Sequence, residues 1–262
     1  MCGNAQNMKS VNDASHGRNA PLKNVRAVIF DMGGTLIEFE RLPWSLMQVA
    51  EVNELYAFLT KRNGAMPSLK LFGDTYRELW KEERDNSISN RKELDLGAFL
   101  SRVCSRVGIE ADDRLVRALV ETHYAPVRRE LTVYPDVIET LDILRTRGYK
   151  LALLSNTMWP REFHEADLER FGLDEFFKVR FFSSDFPCRK PHPAIFHAAA
   201  EALDVPAENA VYVGDFPERD IVGAQAAGMK GILKYHPLRK IPSSIVPDVS
   251  IRRIGDLLKL LP

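Results

Sequence analysis

Residues 26–36 read Arg-Ala-Val-Ile-Phe-Asp-Met-Gly-Gly-Thr-Leu, and the fold is read outward from them. A run over residues 25–30, apolar but for Arg26, ends in a carboxylate, Asp31; Gly33, Gly34 and Thr35 follow. A near-continuous apolar run of this length suits a strand buried on both faces, as in a parallel sheet. Open α/β sheets keep their reactive groups at the C-terminal ends of their strands, and that is where Asp31 falls.

Downstream the pattern turns helical. Val49, Val52, Leu55, Tyr56 and Leu59 recur at helical spacing, with Asn63-Gly64 as a stop. Phe72, Tyr76, Leu79 and Trp80 form a second stripe. Leu96, Phe99, Leu100, Val103 and Val107 form a third, closed by Gly108, and Leu115, Leu119, Val120 and His123 a fourth. No strand is read between them, so residues 44–128 are expected to form a helical bundle. From Pro135 onward, strands at 150–154, 179–182, 210–213 and 231–234 alternate with helices at 137–147, 160–171, 193–203 and 221–227. That alternation predicts an α/β fold with a doubly wound parallel sheet. Its core is expected over 25–43 and 129–262, with the bundle inserted after the first strand. Residues 1–24, rich in Asn, Ser, Ala and Lys, read as a disordered tail; they lack the apolar core of a signal peptide.

Composition narrows the function. The 262 residues carry 36 basic and 36 acidic side chains, which gives no electrostatic footprint for nucleic acid or an anionic membrane. No apolar run is long enough to span a bilayer. Cys2, Cys104 and Cys188 lie far apart without metal-ligand spacing, which points to a reduced, cytoplasmic protein. The glycines around residue 33 do not make the G-x-G-x-x-G fingerprint of a nicotinamide-binding turn.

The strand ends carry the chemistry. They present Asp31, then Ser155-Asn156, then Lys190 beyond the third strand, then Asp215 with Asp220. A carboxylate nucleophile, small polar donors, a cation and further carboxylates suit phosphoryl transfer with Mg²⁺, a cation that prefers oxygen ligands. Alone, each has an ordinary explanation: a strand-end turn, a solvated lysine, or acids favoured by a helix dipole. His192 reads as a loop residue. Trp44, Trp80 and Trp159 read as packing residues, with Met158 and Trp159 placed to line a cleft. Residues 81–85 read as a solvated helix face.

In order, these segments resemble the motifs of the haloacid dehalogenase (HAD) superfamily. The first, Asp31-Met-Gly-Gly-Thr35, is similar to its nucleophile motif, Asp-x-Asp-x-Thr; Ser155-Asn156 is similar to the second. Arg189-Lys190-Pro191-His192-Pro193 is similar to the third, and Gly214-Asp215 with Asp220 to the fourth. The inserted bundle resembles the family's helical cap. The resemblance implies that Asp31 forms an aspartyl-phosphate, that Lys190 steadies it, and that Thr35, Ser155 and Asn156 hold the phosphoryl group. It implies Mg²⁺ on Asp31, the Gly33 carbonyl, Asp215 and Asp220, the last being either a ligand or an anchor for Lys190. The partner implied is a small phosphorylated substrate, handled by a monomer or homodimer.

Gly33 departs from the pattern. The family's phosphatases carry their general acid/base there, a group worth about 10²–10⁴ in rate, or roughly 3–5 kcal/mol of barrier. The main-chain carbonyl, and with it metal binding, survives the replacement. Alkyl phosphates should suffer most and aryl or acyl phosphates least, and Glu38 is the nearest acid in sequence. Dehalogenase and phosphonatase branches also lack the second Asp, so a dehalogenase- or phosphonatase-like hydrolase is one alternative. A catalytically weak phospholigand-binding protein is the other.

Overall fold

A computed structural model describes residues 21–39, 43–63 and 66–262. In chain order the elements are β1 (Ala27–Phe30), β2 (Ile37–Glu38), α1 (Trp44–Asn63), α2 (Leu69–Asn90), α3 (Leu96–Arg106), α4 (Asp113–Glu130) and β3 (Thr132–Val133). They continue with α5 (Val137–Thr146), β4 (Lys150–Ser155), α6 (Arg161–Arg170), β5 (Val179–Phe182), α7 (Pro193–Ala202) and β6 (Ala210–Gly214). The last are α8 (Val222–Ala226), β7 (Lys230–Lys234), β8 (Val249–Ile251) and α9 (Leu257–Leu260).

The sheet has six strands in the order β5-β4-β1-β6-β7-β8, all parallel. Strand β1 is central, and its alternation builds both sides of the core. Val28 and Phe30 join the apolar cluster on one face, while Ala27 and Ile29 join the cluster on the other. All four are fully buried, as a strand covered by helices on both faces must be.

Helices α1–α4 follow one another with no strand between them among the described residues, as the apolar stripes predict. Their sequences set their own starts: Ser68, Asp95 and Asp112 each accept a hydrogen bond from a first-turn N–H, of Leu71, Ala98 and Leu115 respectively. Such caps contribute about 1 kcal/mol apiece. The stripe residues Phe72, Tyr76, Leu79, Phe99, Leu100, Leu115 and Leu119 are buried among themselves.

Three details differ from the sequence expectation. Residues 37–38, for which no strand was expected, form β2, which pairs antiparallel with β3; residues 40–42 lie outside the described residues. Two-residue strands are too short to show a period. Strand β8 and helix α9 were not foreseen, because three residues of strand and one helical turn are equally short of a pattern. Of the expected tail, residues 1–20 lie outside the described residues, but 21–24 are tied down: Leu22 N–H donates to Leu260 O at 2.8 Å and the Asn209 amide to Asn24 O at 2.7 Å. Gly64, half of the expected helix stop, is also outside them.

Candidate active site at the strand ends

The parallel sheet brings the C-terminal ends of β1, β4 and β6 side by side. Asp31 leaves β1 with its N–H bonded to Val213 O of β6 at 2.8 Å. The chain then folds back, with the N–H groups of Leu36 and Ile37 both donating to Met32 O at 2.8 and 2.9 Å. Gly34 sits at φ +72, and a Cβ there would lie 2.5 Å from Asp215 Oδ2, so a side chain would be strained and would collide with that carboxylate.

Lys190 reaches into this group from the loop before α7. Its Nζ donates to Asp31 Oδ1 at 2.9 Å, Asp220 Oδ1 at 2.7 Å and the Tyr212 hydroxyl at 2.6 Å. Three partners for three ammonium protons leave the buried cation fully satisfied. Asn156 holds the lysine main chain from both sides: Nδ2 donates to Lys190 O at 3.0 Å and Oδ1 accepts from Lys190 N at 2.9 Å. Its amide therefore positions the Lys190 main chain, a contact the sequence did not suggest for a residue expected to bind substrate. Ser155 closes β4, buried beside it. The Thr35 hydroxyl is buried with no hydrogen-bond partner among the described residues, an oxygen in want of a ligand.

Burial raises the Asp31 pKa above the ordinary aspartate value; Lys190 opposes the shift and Asp220 adds to it. Asp215 is pushed up to about 8 by burial and then by repulsion from Asp31 and Asp220, against the pull of Arg239 and Lys190. Burial works against the Lys190 charge, but Asp220 and Asp31 outweigh it and hold its pKa above the usual lysine range. Three buried carboxylates thus face two directly bonded cations, Lys190 and Arg239, whose Nε lies 2.9 Å from Asp215 Oδ2.

These residues fit a hard divalent cation. Asp31, Asp215 and Asp220 each offer a carboxylate oxygen within 4.8 Å of the others. Oxygen-only donors and an unbalanced negative charge are what magnesium requires. The three acids are not equivalent, however. Both Asp220 oxygens already accept hydrogen bonds, Oδ1 from Lys190 and Oδ2 from Phe216 N–H at 2.8 Å. Asp31 and Asp215 each keep one oxygen outside their ion pairs.

The face of Gly33 is occupied by an aromatic ring. A Cβ built on Gly33 would lie 2.6 Å from Phe39 Cε1. Glu38 turns elsewhere: it accepts from the Tyr134 hydroxyl at 2.6 Å and lies 3.5 Å from His236 Nε2. A cavity of about 60 Å³ separates Gly33 and the β4 end from α4, and Trp159 and Asp167 also line it. Met158 lines a different, more open cleft. His192 is the N-cap of α7, its Nδ1 accepting from Ala194 N–H at 3.2 Å.

Sequence reasoning missed Tyr212, Lys234 and Arg239. Lys234 donates to Gly34 O at 2.9 Å and packs over the Tyr134 ring; burial lowers its pKa, against the opposing pull of Asp215. Its place as the last residue of β7 was the available signal. Tyr212 lies inside the β6 apolar run and Arg239 in a loop, with no pattern to mark either.

Comparison with known proteins agrees with this geometry. Residues 25–228 match the family model described as haloacid dehalogenase-like hydrolase. A glyceraldehyde 3-phosphate phosphatase from Methanopyrus kandleri is 30% identical over 241 residues, covering 90% of this chain and 97% of the relative. Pyrophosphatase PpaX from Bacillus cereus is 28% identical over 240 residues, covering 90% and 96%. Among solved structures, a 2-haloacid dehalogenase from Pseudomonas syringae pv. Tomato superposes with a TM-score of 0.68 at 24% identity, over 90% of this chain and 97% of that one. The chain belongs to the haloacid dehalogenase-like hydrolase family and is a hydrolase of that fold.

Proposed function

We propose that this protein is a Mg²⁺-dependent phosphatase that cleaves a small phosphorylated metabolite through an aspartyl-phosphate on Asp31. The observation that carries this reading is Lys190 Nζ bridging Asp31 Oδ1 and Asp220 Oδ1 at 2.9 and 2.7 Å, with Asp215 alongside. A carboxylate held by a buried lysine keeps a fixed direction of attack, the condition for efficient nucleophilic displacement. Asp31 attacks phosphorus, and Lys190 offsets the charge that builds on the nucleophile and phosphoryl oxygens. Thr35 and Ser155 supply hydroxyls to those oxygens. Asp31, Asp215 and the Gly33 carbonyl would hold the metal, and Asp220 would anchor Lys190. When bound, Mg²⁺ supplies charge neutralisation to the transferring phosphoryl group. Helices α1–α4 would act as a cap over the cleft and choose the substrate. The phosphatase names of the relatives at 30% and 28% identity support the same reaction class.

Phosphate release from a panel of phosphorylated metabolites tests this reading. Turnover should require Mg²⁺, stop with a chelator and be lost in Asp31→Asn. Folded, metal-stabilised protein with no turnover on any member would sink it. Arg239 favours a second reading, because pairing Asp215 with a protein cation is how a metal-independent site balances its charge. Halide release from 2-haloacids without Mg²⁺ would establish that alternative.

A further inference from the structure

The space beside Gly33 bears on which phosphate ester this site cleaves. The Phe39 ring presents Cε1, Cδ1 and Cζ at 2.6, 3.0 and 3.4 Å from the place where a Gly33 Cβ would stand. The ring is itself backed by Trp44, which it meets edge-on at 6.4 Å between centroids. Phe39 therefore fills the volume that an acidic side chain at this position would use. The cavity it borders carries the apolar groups Met32, Phe39, Val127, Leu131 and Trp159 next to Ser155.

Most polar atoms of the described ionisable groups around that cavity have partners, His164 Nδ1 being an exception. Asp167 accepts from the Tyr124 hydroxyl through Oδ2 and from Arg128 Nε through Oδ1 at 3.1 Å. His164 pairs its Nε2 with the Thr157 hydroxyl at 2.6 Å and, with burial drawing its pKa down to about 3, is a neutral imidazole at pH 7 and not the imidazolium that would serve as a general acid. Glu38 faces Tyr134 and His236. Among the described residues, the wall beside Gly33 is the Phe39 ring, and the carboxylate that lines the cavity, Asp167, is already paired.

We propose that Phe39 is a specificity-determining residue that makes the leaving-group side of this site apolar, selecting phosphates whose leaving group departs as a stabilised anion: aryl phosphates or acyl phosphates. The inference rests on the phosphatase reading. In the first step an Asp31 oxygen–phosphorus bond forms as the phosphorus–oxygen bond to the leaving group breaks. The leaving oxygen keeps the electron pair as phenolate or carboxylate, so no proton is needed. In the second step water attacks phosphorus, the bond from phosphorus to the Asp31 oxygen breaks to release Asp31 as carboxylate, and both water protons leave on the inorganic phosphate as H₂PO₄⁻.

The test measures kcat/KM for substituted phenyl phosphates, acetyl phosphate and ethyl phosphate with Mg²⁺. Wild type should favour p-nitrophenyl or acetyl phosphate over ethyl phosphate by about 10²-fold or more, the scale of a missing general acid. Gly33→Asp alone should give no gain on ethyl phosphate, because the ring blocks the carboxylate. Gly33→Asp with Phe39→Ala should raise ethyl phosphate turnover at least tenfold and flatten the leaving-group dependence. In Phe39→Ala a KM rise confined to phenyl phosphates would mark an aryl substrate, and an equal rise for acetyl phosphate an acyl one. Wild-type rates for ethyl and phenyl phosphate within fivefold of each other would overturn the proposal without any variant having to fold. So would a full gain from Gly33→Asp alone. No turnover on any of these substrates, with Asp31 never phosphorylated, would instead overturn the phosphatase reading itself.

Discussion

Two buried clusters of ionisable side chains answer the same cost in opposite ways. At the strand ends, Asp31 and Asp220 share Lys190, each within hydrogen-bond distance of its ammonium group. Between α1, α2 and α4, Glu51 is buried with no Lys or Arg paired to it among the described residues; His123 Nε2 is 3.6 Å away. Burial pushes Glu51 up to about 8 and draws His123 down to about 3, so both are neutral at pH 7. His123 Nδ1 accepts from the Trp159 indole N–H at 3.2 Å, which places its own proton on Nε2, facing the Tyr76 hydroxyl at 2.8 Å. Tyr76 is the polar group facing Glu51, yet neither Glu51 oxygen has a hydrogen bond of normal geometry among the described residues. At the strand ends the buried acids have cations as direct partners, whereas Glu51, where the helices meet the loop after β4, has among the described residues only the neutral His123 and Tyr76 nearby.

The largest expected effect breaks the first cluster at its nucleophile. Asp31→Asn keeps the shape and the hydrogen bond to Lys190 but removes the attacking anion, and activity should fall about 10³-fold or more. Unchanged phosphate release from a folded Asp31→Asn protein would remove Asp31 from the mechanism. Next comes Lys190→Met, which leaves Asp31 and Asp220 buried without their shared cation. Breaking a buried pair costs about 3–5 kcal/mol, and chemical denaturation should show that loss together with loss of activity.

Glu51→Gln probes the second cluster with the opposite sign. The folded chain holds the Glu51 proton to about pH 8, whereas the unfolded chain releases it near 4.5. The stability tied to the neutral acid is therefore fully present below pH 4.5 and drains away as pH rises toward 8. Replacing it with a neutral amide should stabilise the protein by about 4 kcal/mol at pH 8 and change little at pH 4. Equal shifts at both values would show that Glu51 does not titrate as described. The smallest effect is Tyr212→Phe, which deletes the hydroxyl that accepts from Lys190 at 2.6 Å and donates to Leu154 O at 2.8 Å. A loss of about 1 kcal/mol is expected, with kcat reduced more than KM if Lys190 loses its aim.

The same contrast explains what the chain makes legible. Strand β1 and the strand–helix alternation after Pro135 are long, periodic features, so sheet class and helical insertion follow from pattern. Asp31, Lys190, Asp215 and Asp220 fall where a parallel sheet collects its strand ends, and the structure brings all four together. Contacts made by side chains that share no local pattern were hidden. Phe39 against Gly33 depends on how a two-residue strand turns, and Arg239 on Asp215 on the path of a loop. Asn156 sits where expected, but its amide faces the Lys190 main chain, a choice of direction that spacing does not encode. His123 belongs to an apolar stripe, and only the fold reveals that it bonds to Trp159.

The most direct measurement is acid-quench trapping with a phosphoryl-radiolabelled aryl or acyl phosphate, followed by peptide mapping. The label should appear during turnover on the peptide that contains Asp31, require Mg²⁺, be released by hydroxylamine and be absent in Asp31→Asn. Steady phosphate release with no label on Asp31, and with Asp31→Asn still active, would contradict the account at its centre.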